Sequence, residues 1–291
     1  MKPFITLILV GLGLSCASAS AQTQEFKDHI SKEFTLSKDA GSSTLAIYNI
    51  SGFIKVEGYA GTKVVLEIDR SISAKTTELL EQGKKEFLLQ FDQDADSIIA
   101  YIAQPYDSRP NRNNWNNGNG TNHRRIDYKY DLDFTVKVPY SMNLHVSTVN
   151  NGNVTVKDVS GSLFAHNVNG AITLTNIKGA TDARTINGNV EANYLASPPE
   201  QSKYYTLNGD IKISYPANLS ADLSFKSFQG EFYTDFPNAE LLPAKVTKTQ
   251  EKRSDGTVYK LNKDTAIRIG NGGKTLRFET FNGNVYIKKQ T

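Results

Sequence analysis

Apolar and polar residues alternate in short blocks along this chain, and the blocks repeat. From Thr148 to Ala192 a glycine recurs every nine residues, at Gly152, Gly161, Gly170, Gly179 and Gly188. Alternate glycines sit in one phrase: Val149-Asn150-Asn151-Gly152-Asn153-Val154, Asn167-Val168-Asn169-Gly170-Ala171-Ile172 and Thr185-Ile186-Asn187-Gly188-Asn189-Val190. The phrase returns around Gly209, Gly230 and Gly283, and an early copy from Tyr48 to Val56 centres on Gly52. Aligned on the glycine, the copies carry apolar residues two before it (Val168, Ile186, Leu207, Phe228, Phe281), two after it (Val154, Ile172, Val190, Ile211, Phe232, Val285) and four after it (Val156, Leu174, Ala192, Ile213, Ile287). The positions between are polar. Period-two alternation rich in β-branched residues predicts short strands with one buried face.

Two all-β architectures fit. Asn-Gly is the preferred two-residue hairpin turn, so the nines describe an antiparallel β-meander. The likeness is stronger at eighteen residues, however, because the half-way corners, Val159-Ser160-Gly161 and Ile177-Lys178-Gly179, form a different phrase. Like stacking on like at a fixed offset is the logic of a β-solenoid, here with coils of 18–21 residues. That reading, a parallel β-helix-like stack, is the favoured one. It places Asn151-Gly152, Asn169-Gly170, Asn187-Gly188, Asn208-Gly209 and Asn282-Gly283 at the structural corners, with the asparagines forming an amide ladder and Gln229 filling one rung. The closing Lys288-Lys289-Gln290 then reads as the polar end of a terminal rung.

Outside the repeats the pattern changes in three places. Residues 1–21 combine Lys2, an apolar run from Phe4 to Leu14 and Ala19-Ser20-Ala21, which reads as a cleavable signal peptide. That run is too short for a permanent span; Cys16 raises lipidation as a rival reading, although Gly13-Leu14-Ser15 fits a lipobox poorly. Residues 22–291 follow as a single repeat domain. Ser73 to Phe87 is the one helical pattern, capped by Thr76 or Thr77 and weakened by Gly83. Residues 104–125 form an insertion of asparagine, glycine and arginine around the sole tryptophan, Trp115. Such composition cannot offset the entropy of ordering by burial, so a flexible loop is expected. Its Asn119-Gly120-Thr121 matches a glycosylation sequon.

Composition narrows the function. Once the leader is removed the chain has no cysteine, so neither a disulfide nor a thiol nucleophile is available. Removing Lys2 lowers the formal charge from +3 to +2, which gives nucleic acid no electrostatic footing. Asp92-Gln93-Asp94-Ala95-Asp96 lacks the glycine and glutamate of a calcium loop and reads as a hairpin tip. No nucleophile elbow, P-loop or dinucleotide fingerprint is present. No cofactor is called for. Asp210 and Glu231, on neighbouring rungs of a simple stack, would stand about 5 Å apart, the spacing of a retaining glycosidase. Lys212 beside them makes a surface ion pair the plainer explanation. The column four before the glycine carries Thr148, His166, Arg184, Tyr205, Lys226 and Glu279. Of these, His166, Arg184, Tyr205 and Lys226 form the candidate binding strip for a polyanion or glycan, with Tyr204, Tyr233 and Tyr286 as further stacking faces.

The recurring phrase, the leader, Val138-Pro139 before the array and Gly272-Gly273 before the last copy resemble the putative-adhesin family of bacterial exported β-strand-repeat proteins. The resemblance spans roughly Leu45 to Lys288. It implies a non-catalytic β-solenoid scaffold at the cell envelope, in the periplasm, on the outer surface or secreted, with a glycan or an envelope protein as partner. It supplies no catalytic residues. The alternatives are a polysaccharide-acting enzyme and a periplasmic structural or sensory component.

Overall fold

The computed structural model describes residues 23–110, 125–199, 202–253 and 256–290, and for 244–264 the backbone alone. The leader expected at 1–21 and the Asn-rich core of the insertion, with Trp115, lie outside the described residues. Apart from one helix and a single 3-10 turn, the described elements are strands, gathered in a ten-stranded and an eleven-stranded sheet. Successive copies of the phrase lie side by side. Val154 pairs with Ile172, and Ile172 with Val190, in parallel register. A meander would have run them head to tail.

Each copy contributes one strand to each sheet, joined through its glycine corner, and such a pair is here called a rung. In spatial order rung 1 is Ser97–Gln104 with Tyr128–Pro139, rung 2 Thr44–Tyr48 with Ile54–Tyr59, and rung 3 Asn143–Ser147 with Val154–Lys157. Rung 4 is Leu163–His166 with Ile172–Ile177, rung 5 Thr181–Asn187 with Val190–Tyr194, and rung 6 Lys203–Asn208 with Ile211–Tyr215. Rung 7 is Thr275–Asn282 with Val285–Lys289, and rung 8 is Ala221–Gln229 with Phe232–Thr234.

Antiparallel strands close both ends. Gln24–Thr35 and Lys63–Ala74 extend the ten-stranded sheet beyond rung 1, and Leu88–Gln93 extends the eleven-stranded sheet. At the far end the hairpin Ala239–Arg253 and Gly256–Ile269 pairs with Ala221–Gln229. The sheets are therefore mixed and the molecule is solenoid-like.

This order differs from the simple stack in sequence order. The last copy is not the terminal rung: Val285–Lys289 lies between Ile211–Tyr215 and Phe232–Thr234. The early copy around Gly52 stacks directly on the one around Gly152, and residues 60–142 leave and return between them. The two strands of rung 1 end at Gln104 and begin again at Tyr128, so no single glycine corner joins them.

The inward residues explain the corners. Ile54, Val56, Val154, Val156, Ile172, Val190, Ile211, Ile213, Val285 and Ile287 are fully buried from the ten-stranded side. On the eleven-stranded side the inward column next to the corner is polar. Thr148 Oγ1 donates to Gly52 O at 2.8 Å, Asn167 Nδ2 to Gly152 O at 2.9 Å, Thr185 Oγ1 to Gly170 O at 2.8 Å, Thr206 Oγ1 to Gly188 O at 2.8 Å and Thr280 Oγ1 to Gly209 O at 3.2 Å. A corner carbonyl turned inward has no strand partner, so the side chain one rung along satisfies it, at about 1 kcal/mol per bond. Rungs approach so closely here that a Cβ on Gly209 (φ +155°) would lie 2.2 Å from Gly188 O. Only glycine fits.

The core also holds a chain of hydroxyls. Tyr215 donates to Tyr204 at 3.2 Å, Tyr204 to Tyr194 at 2.6 Å and Tyr194 to Thr181 at 2.6 Å, all fully or almost fully buried. Burial pushes all three phenols above their ordinary value.

The helix runs Thr77–Glu86 with Thr76 as its cap, the Leu79 N–H donating to Thr76 Oγ1. Gly83, a weak helix former, is there for packing: a Cβ would sit 2.8 Å from the Tyr128 ring. Asp94 and Asp96 form the tip of the hairpin between Leu88–Gln93 and Ser97–Gln104, as expected, while Asp92 lies within the first strand, opposite Ile99.

Candidate functional site

The strip residues face outward from the eleven-stranded sheet because they flank the inward threonine column. Strand register places Ser147, His166, Arg184, Tyr205, Glu279 and Lys226 on consecutive rungs. Two corrections follow. Ser147, not Thr148, leads the column, and Glu279 stands between Tyr205 and Lys226. Both arise from shifts invisible to counting. Asn151 adopts a left-handed backbone (φ +60°) and adds one residue to its corner, while rung 7 intervenes between rungs 6 and 8.

The charges on this strip are matched internally. Arg184 donates to Asp182 through Nε at 2.6 Å and Nη2 at 2.7 Å, and Lys226 donates to Glu279 at 2.8 Å. Burial works against the Asp182 carboxylate, but the two hydrogen bonds from Arg184, with the His166 ring close by, outweigh it and hold the pKa at about 2. Asp182, in turn, raises Arg184, with Glu279 adding to the effect. His166 packs on Phe164 with ring centroids 3.9 Å apart, and its Nε2 lies 3.8 Å from Asp182 Oδ1.

Beside the strip runs a second outward column, toward the corner: Val149, Val168, Ile186, Leu207, Phe281 and Phe228. The repeat pattern assigns these residues to the core, yet Ile186 is 40% exposed, Phe281 44% and Phe228 72%. Phe228 and Phe281 stack with centroids 4.7 Å apart and planes 9° apart. Strip and ridge enclose a shallow groove of about 480 Å³ lined by His166, Val168, Arg184, Ile186, Tyr205 and Glu279 among others. Exposed apolar residues in register over several rungs are unusual on a monomer and mark contact surfaces.

The other expected positions are placed as follows. The amide ladder runs Asn282 to Asn208, Asn208 to Asn187, Asn187 to Asn169 and Asn169 to Asn150, at 2.8–2.9 Å. Asn150 takes the rung expected of Asn151, whose Nδ2 instead donates to Ser51 Oγ and Asp131 Oδ1. A second ladder escaped sequence reasoning: Asn189, Asp210 and Asn284 each accept the backbone N–H one rung on, from Asp210, Asn284 and Glu231. Asn284 thus separates Asp210 from Glu231, so the paired carboxylates that would suit a retaining glycosidase are not assembled. Tyr204 is 1% exposed and offers no stacking face. Tyr233 and Tyr286 do stack, 4.9 Å apart, but on the ten-stranded sheet, away from the groove.

A larger concavity of about 680 Å³ lies at the other end, where Arg70 pairs bidentately with Asp28 and His29 bridges Glu67 and Asp69. Hydrogen bonds donated by the ring to the Asp69 and Glu67 carboxylates raise the His29 pKa. These groups satisfy one another. Among the described residues no set of three His, Cys, Asp or Glu side chains could hold a metal ion, and no helix is long and apolar enough to cross a membrane.

Fold and face together define an all-β, solenoid-like repeat protein with a shallow outward groove that follows the rungs of its eleven-stranded sheet. The chain belongs to the Toastrack DUF4097 family, whose model matches residues 48–287. That match bears out the likeness to adhesin-type repeat proteins drawn from the residues. No curated protein sequence is similar to this chain. Among solved structures it is similar to a putative cell adhesion protein from Clostridium sporogenes at 10% identity and TM-score 0.44, covering 92% of this chain and 100% of that one. A putative adhesin from Bacteroides fragilis follows at 11% identity and TM-score 0.38, covering 90% and 97%. A putative lipid binding protein from Parabacteroides distasonis is 10% identical with TM-score 0.26, covering 91% and 97%.

Proposed function

We propose that this chain is a non-catalytic repeat scaffold, exported by a leader at residues 1–21, that binds a partner at the cell envelope through the outer face of its eleven-stranded sheet. On this reading the scaffold is a parallel β-solenoid of 18–21-residue coils, with antiparallel strands as caps. The observation that carries the proposal is the outward apolar ridge held in register beside a polar strip over consecutive rungs. Exposing Phe228, Phe281 and Ile186 to water costs hydrophobic free energy that burial inside would have gained. A partner covering the ridge recovers it.

The test has two arms. External protease on intact cells should remove the protein before the cells are lysed if the face is presented outside. For the face itself, co-sedimentation of the purified chain with isolated cell envelope should fall at least tenfold in the double variant Ile186→Asp with Phe281→Ser. Retention unchanged by that variant, in a protein that melts as the parent does, refutes the reading.

A further inference from the structure

The groove on the eleven-stranded sheet carries enough chemistry to name its ligand class, an inference that rests on the proposal above. We infer that the groove takes an uncharged polysaccharide, lying across the rungs with the apolar faces of its sugar rings on the Ile186–Phe228 ridge.

Three observations support this. First, the charges are cancelled within the face. Arg184 is held by Asp182 with Glu279 also nearby, and Lys226 is held by Glu279. A polyanion would meet the two carboxylates, Asp182 and Glu279, flanking the one guanidinium in the groove, and desolvating a matched pair to bind it is unfavourable. The polyanion expected from the basic residues alone is therefore disfavoured. Second, the strip offers donors and acceptors in turn: Arg184 donates, the Tyr205 hydroxyl does both and Glu279 accepts. Sugar hydroxyls also donate and accept, so such an alternating strip suits them. Third, the opposite wall is apolar and periodic, with Val149, Val168 and Ile186 one per rung at about 4.8 Å, and the same column continues beyond the groove to the stacked Phe281 and Phe228. Apolar groups repeated along a line at rung spacing suit a polymer of rings, each with one apolar face.

The test is affinity gel electrophoresis of the purified chain. Dextran, galactomannan and mixed-linkage β-glucan serve as neutral probes, with alginate and heparin as polyanions. The expected result is retardation by at least one neutral polymer that survives about 0.5 M salt, where exposed charge interactions are screened. The dissociation constant should rise at least tenfold in Ile186→Asp and in Tyr205→Ala, and stay within twofold in Tyr233→Ala on the other sheet. Thermal melts confirm that each variant folds.

Retardation by the polyanions alone, collapsing with salt, overturns the neutral ligand. So does a lack of retardation by every polysaccharide while envelope co-sedimentation still depends on Ile186 and Phe281; that result leaves the scaffold reading standing. Neutral binding that ignores both groove variants overturns the placement, and if envelope binding ignores them too, the face has no role.

Discussion

Replacing Tyr204 by phenylalanine tests whether the buried hydroxyl chain is held together as the structure shows. Tyr204 is the middle link: it accepts from Tyr215 and donates to Tyr194. The ring of Tyr204 stays where it is in Tyr204→Phe, stacked on Phe278 at 5.2 Å, so no cavity opens. The Tyr215 hydroxyl is left as a buried donor without an acceptor, which costs about 1–3 kcal/mol. Tyr215→Phe is milder because Tyr204 still donates to Tyr194; only one ordinary bond is lost, about 1 kcal/mol. The double variant removes the orphaned donor along with its partner. It should therefore cost about 2 kcal/mol; with Tyr204→Phe at the middle of its range, about 2 kcal/mol, the single changes sum to about 3 kcal/mol, a coupling of about 1 kcal/mol. In thermal or urea unfolding this is readable, since 1 kcal/mol shifts the midpoint by about 2–4 °C in a domain of this size. Strict additivity, or a Tyr204→Phe no costlier than Tyr215→Phe, would refute the directional chain.

Further outcomes follow from the same geometry. Gly209→Ala should give little soluble protein, because the added Cβ meets the Gly188 carbonyl at 2.2 Å and both groups are backbone; a folded yield near the parent's would show that the rungs can part. Gly83→Ala should lower the melting temperature although alanine favours helix by about 1 kcal/mol, since its Cβ meets the Tyr128 ring at 2.8 Å; a rise in melting temperature would mean the helix lifts away freely. Asp182 has a folded pKa of about 2 against an ordinary 3.8, so its contribution is present above the ordinary value and is lost as pH falls toward 2. With the pair half exposed, that amounts to roughly 1 kcal/mol. The stability gap between parent and Asp182→Asn in acid titrations should therefore close between about pH 4 and pH 2, and a gap independent of pH would contradict the assignment.

The repeat itself was legible because one side chain per rung meets its own counterpart, so the same chemistry recurs wherever copies stack. The columns at Val154 and Val156 were read correctly as inward. The column at Ile186 was not, for a physical reason. Alternation was counted straight through the glycine, and the corner reverses its parity, so Thr185 points in and Ile186 out. The corner with Asn151 has one residue more than its neighbours, which sequence alignment on glycine hides. The order of the last two rungs was equally hidden, because copies with identical columns can exchange neighbours without changing any local pattern. The contact ridge was therefore present in the sequence as a row of apolar residues but credited to the interior. The tyrosine chain is harder to see, since Tyr194 and Tyr215 share a column six residues after their glycines, but Tyr204 lies on the other sheet and meets them only across the core.

The placement of rung 7 between rungs 6 and 8 has a consequence for how the chain is made. Asn208 and Asn282 are partners across 74 residues of sequence, and the strand Phe232–Thr234 gains its neighbour only from Val285–Lys289. From rung 3 onward each new turn can zip onto the last as far as Tyr215, but there the zipping halts. The strands Ala221–Gln229 and Phe232–Thr234, with the hairpin paired to the first of them, can join the stack only through residues 275–289, which lie between them and rung 6. Docking of rung 8 is thus tied to residues 275–289, which act as a keystone.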